Sequence, residues 1–164
     1  MVYNAGLKMS INKNQPLLDN NHIIRYVPWS KLRKNENDEV IGILGEAFKP
    51  RPSDNEGLSA TWIEYYGNDH EAGVSEAIRT LRNGKLAVKP KSGFAVGNVG
   101  KIKSACRNYK NIEVNVIYRP SSHNEAHVEV RRLPQDDTEL HEFLAEDAWS
   151  DLILNSAVSL ASKP

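Results

Sequence analysis

Cysteine is nearly missing from these 164 residues: Cys106 stands alone, which excludes an intrachain disulfide framework and any zinc or iron–sulfur site built on several cysteines. No apolar run reaches the roughly 18 residues of a membrane span, and Met1–Asn20 has no signal-peptide core, so the chain is expected to be cytoplasmic with no membrane partner. Neither charge is in surplus: 21 Lys and Arg face 21 Asp and Glu. A general nucleic-acid binder needs a cationic excess to neutralise phosphates, so that class is disfavoured. Internal repeats and a Gly-, Ser- or Pro-rich linker are also lacking, which argues against solenoids and against two separate domains. A chain of this length buries roughly 70% of its unfolded surface, enough for a core without metal or disulfide support.

What is present is an ordinary globular composition, 40% hydrophobic and 26% charged, cut into short alternating segments. Residues 1–20 are rich in Asn and Lys and read as a flexible N-terminal arm, residues 155–164 as a C-terminal tail, and residues 21–154 as the domain. His22–Val27 and Glu39–Leu44 have strand character, and Pro28 blocks extension of the first. Leu58–Tyr66 is ambiguous between strand and helix. From His70 to Asn83, Val74, Ala77, Ile78 and Leu81 recur at helical spacing, with Gly84 at the end. Gly93–Val96 reads as a strand entering a helix over Val99–Tyr109, and Ile112–Tyr118 and His127–Leu133 alternate as strands. A capping pattern at Asp136–Glu139 opens a last helix whose apolar stripe runs through Leu140, Phe143, Leu144, Ala148 and Leu152. The sum is a single α+β domain with a mixed or antiparallel sheet of about five short strands and three helices.

Three constellations carry chemistry. Gly93-Phe-Ala-Val-Gly97-Asn-Val-Gly100-Lys101 follows a strand and opens a helix, as phosphate loops do. A dinucleotide fingerprint fails because Ala95 replaces its first glycine, and a Walker A loop fails because Ile102 follows the lysine. Gly97, Gly100 and Lys101 remain candidates to hold a cofactor phosphate on free helix amides, against the alternative of a tight turn packing helix on sheet. His123-Asn-Glu-Ala-His127-Val-Glu129 is the densest titratable cluster, and strand periodicity turns His127 and Glu129 to one face. Such a pair suits general acid–base work or metal ligation, against the alternative of a polar strand edge. Zinc-dependent deamination is excluded, since no P-C-x-x-C follows. No metal is assigned.

The order Arg25, then Ser59 in Leu58-Ser-Ala-Thr61, then Glu129 resembles ADP-ribosyltransferases. That resemblance implies an arginine gripping a dinucleotide phosphate and a carboxylate stabilising charge on a ribose, although an E-x-E pair and an aromatic NAD-stacking signature are lacking. Over residues 22–133, Arg25, Pro28, Ala47-Phe48, Asp54, Leu58-Ser59 and His127-Val-Glu129 resemble a group of small bacterial proteins of unassigned function. This implies a shared fold unit and no mechanism. Trp29, Trp62, Tyr65 and Tyr66 read as core in preference to a stacking platform. Basic residues from Lys85 to Lys110 and acidic ones from Asp136 to Asp151 suggest a bipolar surface for a charged protein partner or for self-association into a homo-oligomer. The expectation is a noncatalytic binding or adaptor protein, an accessory to a bacterial defence, toxin or mobile-element system. The alternative is an ADP-ribosyltransferase-like or other nucleotide-handling enzyme in which Arg25, Ser59, His127 and Glu129 meet in one cleft over a nucleotide or phosphorylated ligand.

Overall fold

Along His-Ile-Ile-Arg-Tyr-Val-Pro, alternation sends Ile23 and Val27 to one side and Ile24 and Tyr26 to the other, so this strand needs cover on both faces. The computed structural model, which describes residues 12–51, 57–149 and 151–159, supplies that cover. The strand, β1 (His22–Pro28), lies inside a six-stranded sheet with β4 (Gly57–Trp62), β5 (Ser92–Asn98), β6 (Asn115–Tyr118), β7 (His127–Arg131) and β8 (Asp151–Leu154). Their order is β6-β7-β4-β1-β5-β8, and each adjacent pair is antiparallel. A separate ribbon pairs β2 (Leu32–Lys34) with β3 (Val40–Ile43). The domain is thus α+β, with more strands than the periodicity suggests.

Three helices divide between the faces. Helix α1 (His70–Asn83) places Ala77 and Ile78 against Ile24, Phe94 and Val96. Helices α2 (Val99–Lys110) and α3 (Thr138–Asp147) cover the opposite face, where Ile102, Cys106, Leu140 and Leu144 join Ile23, Val27, Leu58 and Val128 in the larger core. Each helix has a side-chain N-cap: Asp69 accepts from the Ala72 amide, Asn98 from Lys101, and Asp137 from Leu140. The last cap falls one residue after the expected Asp136.

Two expectations about the ends need correction. Residues 12–20 are not a loose arm: Asn14 and Leu17 amides donate to Tyr118 O and Val116 O, each at 2.8 Å, and Leu17 is buried. This segment covers the outer edge of β6, which answers its unpaired backbone groups. Residues 1–11 lie outside the described part. The final helix also stops at Asp147, and Leu152 belongs to β8 instead of the helical stripe. Trp149 inserts behind the helix end and stacks on Phe48 with ring centroids 4.9 Å apart, and the chain then extends along β5. Asn155, at the start of the expected tail, accepts from Arg82 at 2.7 Å.

Candidate functional site

β1 and β4 pair only at Ile23–Trp62 and Ile24–Thr61. Beyond that point the strands part, and the Arg25 side chain fills the gap. Its Nε donates to Ala47 O at 2.8 Å and one terminal nitrogen donates to Ser59 O at 2.6 Å. Arg25 therefore ties the 3-10 turn Gly45–Phe48 to β4, a structural duty that a sequence pattern cannot reveal.

Helix α1 covers the β1 and β5 part of its face. The register sets Thr61 opposite Ile24 and His127, and Ser59 opposite Glu129, so these side chains share the α1 face of the sheet. The result is a cleft of about 660 Å³ floored by Ser59, Thr61 and His127 and walled by the C-terminal end of α1. Six basic groups line it: Arg25, Lys31, Arg51, Lys85, His123 and His127. Among the described residues, no carboxylate does. Ile24, Tyr26, Pro28, Leu81 and Leu86 give it an apolar wall.

The local potential registers in Lys31. Its ammonium is held below the ordinary lysine range, first by burial and then by Arg25, with Glu46 opposing and Arg51 adding to the effect. An anion bound beside Lys31 would favour its charged form.

On the floor, His127 Nδ1 lies 2.7 Å from Arg119 O and Nε2 lies 3.1 Å from Ser59 Oγ. A carbonyl only accepts, so in the neutral ring Nδ1 carries the proton and Nε2 accepts the Ser59 hydroxyl. This is the arrangement of a nucleophile with a base whose tautomer is fixed by a third group. Beside it, Thr61 Oγ1 accepts from Asn124 Nδ2 at 2.8 Å, which fastens the loop carrying His123.

The predicted residues separate into two groups. Arg25, Ser59 and His127 converge on the cleft. Glu129 shares the sheet face but not the cleft, because Arg131 holds its carboxylate at 2.8 Å. The glycine-rich segment is remote in its bonding as well. The Val99 amide donates to Asn21 O, Gly100 to Asp19 O, and Lys101 to Asn98 Oδ1, each at 2.9 Å. A Cβ on Gly97 would approach Trp149 at 3.0 Å, and one on Gly100 would approach Asp19 O at 3.0 Å. These glycines serve close packing, and the helix amides offered to a phosphate are already occupied. Lys31, Arg51, Lys85 and His123 were not foreseen together; each lies in a different part of the chain, and only their charge marks them. Trp62 and Tyr65 are buried in an edge-to-face aromatic group with Tyr118. No protein-family model, curated protein or solved structure matches the chain.

Proposed function

We propose that this chain is a binding protein whose basic cleft takes a phosphorylated small molecule of nucleotide size. It is the noncatalytic role favoured above, with a small anion where a protein partner was expected. The observation that carries it is a cleft of about 660 Å³ lined by Lys31, Lys85, His123 and His127, with Arg25 and Arg51 beside them. That volume falls within the roughly 300–1,000 Å³ of ordinary ligand pockets. The Lys31 and Lys85 ammonium groups suit phosphate oxygens, while Ile24, Tyr26 and Leu86 offer apolar contact to a base or ribose.

The test is thermal unfolding with ATP, NAD and inorganic phosphate. A ligand at a hundred times its dissociation constant stabilises the fold by about 2.7 kcal/mol. Removing Lys31 and Lys85 together should abolish that gain. No stabilisation by any of the three, or stabilisation that the double variant keeps, contradicts the proposal.

One observation favours a second reading, an enzyme acting on the same ligand. The Ser59–His127 hydrogen bond supports Ser59 as nucleophile and His127 as its base. An ADP-ribosyltransferase-like version has less support, since Glu129 is engaged by Arg131 away from the cleft. Ser59→Ala should then stop turnover while ligand binding persists; equal turnover by the variant removes this reading.

A further inference from the structure

At the other end of α1, away from the cleft, three potential metal ligands meet. His22 opens β1, Glu64 opens the 3-10 turn Glu64–Tyr66, and His70 opens α1. The cleft is bordered by Thr80, Leu81 and Gly84 at the far end of α1, about 15–20 Å along the helix from His70 at 1.5 Å per residue, while His22 lies two residues before Ile24 of the cleft wall. We propose that His22, Glu64 and His70 form a binding site for a divalent transition-metal cation of the Zn²⁺ class.

One ring nitrogen from each histidine and one carboxylate oxygen all lie within 4.8 Å of one another. His22 Nδ1 and Glu64 Oε2 are 2.7 Å apart, and the two imidazoles meet edge to face with centroids separated by 4.9 Å. Two histidines and a glutamate are a ligand set used for Zn²⁺, with a further position open to water. Imidazole nitrogen suits zinc and its neighbours in the first transition row, whereas Mg²⁺ and Ca²⁺ prefer all-oxygen shells.

The carboxylate is oriented from behind. The His22 amide donates to Glu64 Oε1 at 2.6 Å, leaving Oε2 directed at the imidazole. Such outer hydrogen bonds fix ligand direction in metal centres. Gly67, with φ 123°, ends the 3-10 turn in a backbone conformation that suits glycine, and the chain then passes to the Asp69 cap and His70. His22 and Glu64 are half-buried, while His70 is exposed. A cation reaches the group from solvent, and His70 can turn toward it without disturbing the core.

Zinc–ligand distances near 2.0–2.2 Å set neighbouring ligands about 3.3 Å apart in a tetrahedron. Loading therefore releases to solvent the proton between His22 Nδ1 and Glu64 Oε2, opens that contact slightly and draws His70 inward. Asp69 and Glu71 flank His70 in sequence and offset the positive helix terminus.

The experiment is calorimetric titration of the full chain with Zn²⁺, alongside His70→Ala and Glu64→Gln. The first removes an exposed side chain, and the second keeps an acceptor for the His22 amide, so both should remain folded by circular dichroism. The expected result is one saturable equivalent in the parent and affinity reduced about tenfold or more in each variant. Co²⁺ should give visible d–d absorption in the parent alone. An absence of saturable binding below about 100 μM Zn²⁺, or a loss smaller than about tenfold in either variant, overturns the proposal.

Discussion

Burial holds the Lys31 ammonium below its ordinary pKa, and the Arg25 guanidinium adds to that effect. A lysine kept where it is electrostatically disfavoured costs the free protein stability, and an arriving anion reverses the sign of its contribution. Lys31→Met should therefore weaken phosphate-ligand binding by about 1.5–3 kcal/mol, the range for a hydrogen bond to a charged group. The melting temperature of the unliganded variant should not fall. Titration calorimetry and thermal unfolding measure the two effects separately. Cys106 behaves oppositely. Burial, helped by Asp137, pushes its thiol from 9.0 up to about 11. The unfolded thiol ionises first, so this residue's contribution to stability is complete below about pH 9 and declines as pH rises through 11. Urea titrations should show that decline in the parent and a shallower one in Cys106→Ala. Native Cys106 should also resist a thiol reagent that modifies the unfolded chain.

Helix α3 is held at unusually short range. A Cβ on Gly45 would meet the Glu142 amide nitrogen at 2.5 Å and the His141 carbonyl carbon at 2.7 Å. The Gly45 amide also donates to Glu142 Oε1 at 3.0 Å, and Arg33 holds the other carboxylate oxygen at 2.9 Å. Gly45→Ala must push helix from turn and should cost about 1–3 kcal/mol, as overpacking does. Leu144→Ala should cost about 2–5 kcal/mol, because Leu144 is fully buried in the larger core. Both are read from denaturant midpoints. The three helices were legible because their apolar spacing is long and regular, and α1 has the predicted bounds. β8 was not: Asp-Leu-Ile-Leu is only four residues long, and Leu152 continues the preceding helical stripe by coincidence of spacing. β2 is three residues long and carries no pattern of its own, while its partner β3 is apolar enough to be seen.

Charge looks different in space from its order along the chain. The basic end of α2 meets the acidic start of α3, with Lys110 Nζ 3.9 Å from both Asp137 and Glu139. Those opposite charges complement both helix ends. Basic side chains from separate parts of the chain gather instead around the cleft. Ser59 and His127 were recognisable by residue type, whereas Lys31, Arg51 and Lys85 come from separate segments that only tertiary folding assembles. Glu129 illustrates the opposite error, since strand register alone could not show that Arg131 would claim its carboxylate. The most direct test is amide chemical-shift mapping with ATP at moderate salt. Binding in the cleft predicts saturable shifts at Arg25, Ser59, Thr61, Lys85 and His127 with Gly97–Lys101 unmoved. Shifts confined to Gly97–Lys101, or none at millimolar ATP, would contradict it.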